Sequence, residues 1–320
     1  MTWTPAELPD LSGTTAVVTG GNSGIGFATA RALASHGCAV TLACRNVAAA
    51  EQAATRIRDN HKAAGRSPGA RRGAGSGGAD LDVRVAVLDL SSLASVRTFA
   101  DGWQGPLHLL FNNAGVMAPG AWQGTTDGYE LQLGTNHLGH YALTGLLLGA
   151  LQAAGSSRVV TVSSLAHFRG SANLLDGNPP QTYRPQAAYG NSKLANLLFG
   201  AELQRRATAG GSALTSTMAH PGVAATGLFV DPQGMGANRA VRAVGPWLMP
   251  VLFQSAVSGA KPSLYAAAVA EPGSYTGPLW LGESRGPVGP AKMSVLAQDH
   301  RLASRLWEVS QDLTGVEYDL

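Results

Sequence analysis

With 320 residues, 45% of them hydrophobic and 13% charged, the chain is long and apolar enough to bury a sizeable core and is no disordered polymer. Its charge is local: seven bases against three acids fall between Arg56 and Arg84, an excess that outweighs the net +3 of the whole chain. With no aromatic platform beside those arginines, the pattern argues against a nucleic-acid partner. Cys38 and Cys44 share one predicted strand and would stand roughly 20 Å apart at ~3.3 Å per residue, so buried thiols are expected and not a disulfide. No Cys/His spacing suits zinc, and no metal site is expected. No run reaches ~18 apolar residues, and the first thirteen residues are mixed and acidic at Glu7 and Asp10, unlike a signal peptide. A soluble, cytoplasmic protein without an integral membrane segment is expected.

Taken in order, residues 16–19 form a short apolar strand that runs into Gly20-Gly21-Asn22-Ser23-Gly24-Ile25-Gly26 and then a helix to about residue 35. Strand, glycine turn and helix together aim backbone N–H groups and a positive helix end at a phosphate, although the same turn could serve as a tight connection alone. A second strand, 38–44, ends at Arg45, nineteen positions past Gly26. In a dinucleotide-binding unit an acid near this point takes the ribose 2′-hydroxyl and a base takes a 2′-phosphate, so Arg45 favours NADP(H) over NAD(H) unless it is a solvated loop residue. A helix over 47–60 leads into a mobile Gly/Arg-rich surface insertion, 63–80. A third strand, 83–88, ends at Asp89-Leu90, where the carboxylate either accepts from an adenine amino group or caps the helix from Ser91 onward. A fourth strand, 107–111, runs into Asn112-Asn113-Ala114-Gly115, small and amide residues that permit close backbone approach to a cofactor.

A long helix is predicted over 126–153 with Asn136 in its middle, where asparagine signals a solvent face or a kink. A fifth strand, 158–162, ends in Ser163-Ser164. A polar excursion over 168–185 precedes a helix that carries Tyr189 and Lys193 one turn apart on one face. An ammonium beside a phenol stabilises the phenolate, which makes Tyr189 a proton acid/base. No Gly-x-Ser-x-Gly elbow surrounds Ser164, so it reads as a donor to a substrate oxygen and not a hydrolytic nucleophile. A sixth strand, 214–219, leads to His220-Pro221-Gly222-Val223-Ala224-Ala225-Thr226, a sharp turn followed by a threonine able to reach a phosphate. Residues 227–262 are expected to cover a substrate, the apolar 246–253 stretch being either a lid or buried packing. His167 either lines the pocket or occupies the loop. Alternating strands and helices imply right-handed crossovers and a parallel sheet, with ligands beyond the strands' carboxyl ends, where these motifs all fall.

On these residues the chain resembles the short-chain dehydrogenase/reductase family over nearly its whole length. The matching elements are Thr19-Gly20-x-x-x-Gly24-x-Gly26, Asp89, Asn112-Asn113-Ala114-Gly115, Asn136, Ser164, Tyr189-x-x-x-Lys193 and Pro221-Gly222-x-x-x-Thr226. It is most similar to the retinol dehydrogenase and protochlorophyllide reductase-like branch, through Ala43-Cys44-Arg45-Asn46, Thr135-Asn136-His137-Leu138-Gly139-His140 and Leu306-Trp307-Glu308-Val309-Ser310. The resemblance implies one doubly wound α/β Rossmann-fold domain over 1–320, with a seven-stranded parallel sheet in the order 3-2-1-4-5-6-7. It implies cofactor contacts from Gly20, Asn22, Ser23, Gly24, Ile25, Gly26, Arg45, Asp89, Leu90, Asn112, Ala114, Gly115, Tyr189, Lys193, Pro221, Gly222, Val223 and Thr226. Tyr189 would be the acid/base, Lys193 would lower its pKa and hold the nicotinamide ribose, Ser164 would position the substrate oxygen, and Asn136 would anchor a water linking Lys193 to solvent. A homodimer or homotetramer through the helices bearing Asn136 and Tyr189 is a further expectation. Two features depart from the family: the 63–80 insertion is long, and no membrane-anchoring apolar helix of the kind found in many animal retinol dehydrogenases begins the chain, so the branch name is not a substrate. The expected reaction is hydride transfer at a carbonyl or alcohol carbon of a lipophilic molecule. C=C reduction of a ring substrate and a non-catalytic cofactor-binding regulator are the alternatives.

Overall fold

The computed structural model describes residues 3–65, 81–117, 119–223 and 254–320. Its centre is a sheet in the order β3-β2-β1-β4-β5-β6-β7-β8. The strands are β1 Thr15–Thr19, β2 Ala39–Cys44, β3 Val83–Val87, β4 Leu109–Asn112, β5 Ser157–Val162, β6 Leu214–Ala219, β7 Tyr275–Trp280 and β8 Arg285–Pro290. The first seven run parallel. Helices cover both faces of the sheet, which is why β1 and β5 read as apolar runs without alternation and lie buried almost throughout.

The helices are α1 Gly24–Ser35, α2 Val47–Gly65, α3 Leu93–Asp101, α4 Leu131–Leu133, α5 Gly139–Leu146, α6 Leu148–Ala153, α7 Pro185–Ala209, α8 Ala256–Ala268 and α9 His300–Thr314. The chain winds outward from β1 to β3, then crosses back to place β4 against the other side of β1. The order reverses there, and the crevice at the carboxyl ends of β1 and β4 is the position where such sheets take ligands. Cys38 and Cys44 are both free and buried.

The predicted seven-stranded parallel sheet is corrected by β8, an eighth strand antiparallel to β7. It follows a turn in which Leu281, Gly282 and Glu283 all take positive φ. The segment Arg285-Gly-Pro-Val-Gly-Pro has neither an apolar run nor alternation, and prolines of this kind are tolerated only on an edge strand, so it carries no readable strand signal. The predicted long helix over 126–153 is also corrected: it begins at Leu131, is widened into a π-turn at Gly134–Leu138, and breaks at Leu147. Glu130 caps its start by accepting from the amides of Gln132 and Leu133 at 2.9 Å each.

Helix α9 is amphipathic, capped by Asp299 at its start and by Gly315 at φ 62° past its end. It packs its apolar stripe on α7, and the tail beyond it runs over α5. Trp307 is buried among Tyr141, Phe199 and Tyr318, and Tyr318 donates to the Tyr141 carbonyl at 2.6 Å. Gly145 makes room: a Cβ there would lie 2.6 Å from the Tyr318 ring. The outer face of α5 and α7 is therefore closed by the chain's own C-terminal segment.

Candidate active site

The nucleotide half of the crevice is built from backbone. Gly20 and Gly24 take φ of 66° and 52°, a region costly for a side chain. A Cβ on Gly26 would lie 2.4 Å from the Gly20 carbonyl oxygen and 2.6 Å from Asn113 Nδ2, so α1 can approach the turn only without one. Ser23 is exposed at the N-cap of α1, yet its side chain makes no capping bond. The first-turn amides of α1 thus keep the donors and the positive helix end that hold a phosphate. Asn22 is half-buried beside them, and Ile25 anchors the turn in the core. These features fit the diphosphate of a dinucleotide.

Arg45 is exposed at the carboxyl end of β2 and makes no hydrogen bond among the described residues. The adjacent Asn46 takes the capping role instead, accepting from the Ala49 amide at 3.0 Å. The helix-capping alternative for Asp89 is replaced: Ser92 caps α3, accepting from Ser95, while Asp89 Oδ1 accepts from the amide and hydroxyl of Ser91. Leu90 is buried, and Gly139 lets α5 sit against its carbonyl.

At the end of β4 the amides of Asn113 and Ala114 both donate to Thr19 Oγ1 at 2.9 Å, and Asn113 Nδ2 donates to the Thr19 carbonyl at 2.8 Å. Asn112 is fully buried and donates to Thr144 Oγ1, fastening α5 to the sheet. Gly115 faces the second half of the crevice. A Cβ on it would lie 3.0 Å from Asn136 Oδ1 and 3.5 Å from Lys193 Nζ.

That second half is built from buried polar side chains. Asn136 is fully buried in the π-turn, not on a solvent face. Its Oδ1 accepts from the Val116 amide at 2.8 Å, and its Nδ2 donates to the Val116 carbonyl and to Ser192 Oγ. Its main-chain carbonyl is met at 2.9 Å by His140 Nδ1. Ser192 in turn donates to the Tyr189 carbonyl, so Asn136 is joined to α7 within the Tyr189–Lys193 turn. Ser164 stands at the end of β5, its Oγ accepting from the Ala166 amide at 3.2 Å. Gly190 lets this turn close on α7, since a Cβ there would lie 2.9 Å from the Ala166 carbonyl.

Tyr189 and Lys193 are 8% and 4% exposed, which decides their electrostatics. Burial pushes the Tyr189 phenol up to about 12, with the neighbouring Ser164 hydroxyl working the other way. Burial pulls Lys193 down to about 8. Lys193 Nζ lies 5.8 Å from the centre of the Tyr189 ring and donates to the Val162 carbonyl at 3.2 Å. Burial is the largest cause of the Tyr189 shift, and Lys193 is not among its causes.

Pro221, Gly222 and Val223 are held at the end of β6. The Val223 amide donates to the Ser284 carbonyl, and Gln254 Nε2 donates to the carbonyls of Pro221 and Ser284. Gly222 has φ 69°, and a Cβ on it would lie 2.4 Å from the Ser284 oxygen. Thr226, the 246–253 stretch and the 63–80 insertion lie outside the described residues, apart from the backbone of the α2 end; of the 227–262 segment only 254–262 is described. His167 is fully buried: it meets the Ser164 carbonyl at 2.7 Å through Nδ1 and the Ser294 amide through Nε2, so it supports the Ser164 turn from behind.

Thr19, His140 and Ser192 escaped the sequence reading as parts of the site. Ser192 lies three residues after Tyr189 and His140 four after Asn136, helical spacings that give one face, but only the folded chain shows what that face meets.

A family model described as short chain dehydrogenase matches residues 14–232. Mouse (Mus musculus) polyprenol dehydrogenase is 41% identical over 319 residues, covering 97% of this chain and 87% of the relative. Retinol dehydrogenase 13 of Homo sapiens is 38% identical over 316 residues, covering 96% and 86%, and Mus musculus retinol dehydrogenase 14 is 36% identical over 310 residues, covering 96% and 87%. A crystal structure of an uncharacterized protein from Mycobacterium paratuberculosis is similar at 40% identity and a TM-score of 0.79, covering all of both chains. The RhlG/NADP complex of Pseudomonas aeruginosa, at 21% identity and a TM-score of 0.58 over 83% of this chain and 94% of that one, shares the fold.

Proposed function

The chain belongs to the short-chain dehydrogenase family, and from that premise we propose that it is an NADP(H)-dependent oxidoreductase acting on the alcohol or carbonyl carbon of a lipophilic small molecule, with Tyr189 as its proton acid/base. The observation that carries this reading is the gathering of Ser164, Tyr189 and Lys193 beside a glycine floor, Gly115, at the carboxyl edge of the sheet. The relatives named for retinol and polyprenol support a lipophilic alcohol or its carbonyl counterpart. Arg45, exposed and without a hydrogen bond among the described residues, supports a 2′-phosphate on the cofactor.

When bound, the nicotinamide supplies the hydride or accepts it. The first-turn amides of α1 would hold the diphosphate, and Lys193 and the Pro221–Val223 turn would hold the nicotinamide end. Ser164 donates to the substrate oxygen. Tyr189, kept a neutral phenol at physiological pH by its burial, gives its proton to that oxygen in reduction and recovers it in oxidation. Asn136 keeps the Val116 segment and α7 in register, so Lys193 and Tyr189 face the same space. Assembly through α5 and α7 would have to displace α9 and the tail from that face, which favours a chain that closes the face itself.

Tyr189→Phe tests the reading. Its turnover should fall by roughly 10²–10⁴-fold, while NADPH titrated by fluorescence binds as before; an undiminished rate would overturn the role. An NADPH-oxidation screen across long-chain aldehydes, ketones, quinones and enones, with product analysis, separates C=O from C=C reduction.

A further inference from the structure

His140 ends the Thr135–His140 motif without a role assigned to it, yet it is 1% exposed and bonded at both ring nitrogens. Nδ1 lies 2.9 Å from the Asn136 carbonyl, an oxygen that can only accept, so Nδ1 carries a proton. Nε2 lies 2.9 Å from Thr19 Oγ1. That hydroxyl accepts from the amides of Asn113 and Ala114, and its one hydrogen is shared between the Phe111 carbonyl at 3.1 Å and the nearer Nε2, which can only take it if it carries no proton of its own. Burial holds the imidazole neutral, its pKa pulled down to about 4 with the Lys193 ammonium adding to the effect and the Asn136 carbonyl opposing it. The chemistry of its two partners therefore selects the Nδ1–H tautomer.

This bonding joins two parts of the molecule that carry different tasks. Thr19 is the last residue of β1, directly before Gly20 and the phosphate turn, and Asn113 also reaches the space a Gly26 side chain would fill. Asn136 lies in the π-turn, where the Gly139 amide reaches back five residues to the Gly134 carbonyl. A second link runs alongside: Thr144 donates to the His140 carbonyl and accepts from Asn112 at the end of β4. The start of α5 is thus keyed to the ends of β1 and β4.

We propose that His140 is a positioning residue that fixes the Asn136 carbonyl and locks it to the β1 terminus, so that one buried imidazole sets the cofactor turn and the Lys193 side of the site in a common register. The inference rests on the reading of Asn136 and Lys193 as parts of the proton path. The titratable groups that face His140 are Lys193 from α7 and His137 from its own turn.

Two isosteric substitutions separate the two bonds. An asparagine amide can occupy the place of Nδ1 and a glutamine amide that of Nε2. His140→Asn keeps the donor to the Asn136 carbonyl and loses Thr19; His140→Gln keeps Thr19 and loses the carbonyl. In His140→Gln, kcat should fall at least tenfold with KM within twofold, and the inflection of the kcat–pH profile should move. His140→Asn, which keeps the carbonyl fixed but frees the β1 terminus, should lower kcat less than His140→Gln does and instead raise the NADPH dissociation constant several-fold. Equal kinetics in the two variants, or a loss that follows only the fraction of folded protein in a thermal melt, overturns the proposal. Long-range ¹H–¹⁵N correlation spectra of the wild-type chain give a readout independent of activity. They should show His140 protonated on Nδ1 and bare on Nε2 from pH 5 to 8, and an Nε2–H tautomer or an imidazolium in that range overturns the proposal as well. A chain that shows the expected tautomer but reduces no carbonyl and oxidises no alcohol breaks the proposed function instead.

Discussion

The two halves of the carboxyl-edge crevice are made of different material. The nucleotide half is backbone: positive-φ glycines, uncapped helix amides and one exposed arginine, with few side chains removed from water. The half around Tyr189 is side chains: a phenol, an ammonium, a carboxamide and two imidazoles that are buried and bonded to one another or to carbonyls. The first half is limited by space and the second by desolvation. A change in the first should act through steric fit on cofactor affinity, whereas a change in the second should act on proton chemistry and on stability in opposite directions.

Lys193 gives the largest expected effect and the sharpest form of that contrast. Its ammonium is pulled down from 10.5 to about 8 by burial, so between these values the folded chain binds fewer protons than the unfolded one. Stability contributed by this group is therefore fully present above pH 10.5 and is lost as pH falls through about 8. Near pH 7 the deficit is on the order of 3 kcal/mol, since each pH unit between the two values is worth ~1.4 kcal/mol. Lys193→Met should abolish turnover yet raise Tm by several degrees, as expected where a functional group is buried against its own preference. The gain should shrink as pH rises from 8. Taking the difference between variant and wild type cancels Cys38, pushed up to about 11, and the buried tyrosines, which act in the opposite sense above pH 9. Equal or lower stability of the variant at pH 7 would show that the half around Tyr189 carries no desolvation cost at this residue.

Gly26→Ala breaks the other half. The added Cβ would meet the Gly20 carbonyl at 2.4 Å, and backbone cannot step aside as a long side chain can. Overpacking of this kind costs ~1–3 kcal/mol, so the NADPH dissociation constant should rise roughly 5- to 150-fold. Its pH dependence should stay that of wild type. A change in that pH dependence would mean the two halves do not separate as the geometry says.

The same contrast explains what the sequence could tell. Glycines at Gly20, Gly24 and Gly26 announce themselves because few conformations demand glycine, and the apolar runs of β1, β2, β5 and β6 announce a sheet covered on both faces. The Tyr189–Lys193 spacing is readable for the same local reason. The partners of Asn136, the Thr19 contact of His140 and the support that His167 gives Ser164 from the Ser294 side depend on contacts between residues far apart in the chain, which no local pattern encodes. The depth of burial around Tyr189 is also unreadable from sequence, because spacing reveals the neighbouring ammonium but not what covers the phenol. Strand β8 is invisible there because its prolines and glycines read as a loop until β7 offers it an edge.

The smallest expected effect falls on Arg45, the exposed base of the nucleotide half. It lies exposed at the end of β2 with no partner among the described residues, so a 2′-phosphate would meet a guanidinium already free to pair. Solvent screens an exposed pair, and the contribution should stay at ~1 kcal/mol, a factor of about five to ten in affinity. Arg45→Ala should therefore weaken NADPH by that factor, leave NADH unchanged, and flatten the dependence of NADPH binding on salt between 50 and 300 mM. Equal affinity of the wild-type chain for the two cofactors would remove Arg45 from the site. An effect of Arg45→Ala on both cofactors alike would instead assign it to the shape of the β2 end, and the backbone would then be the whole of the nucleotide half.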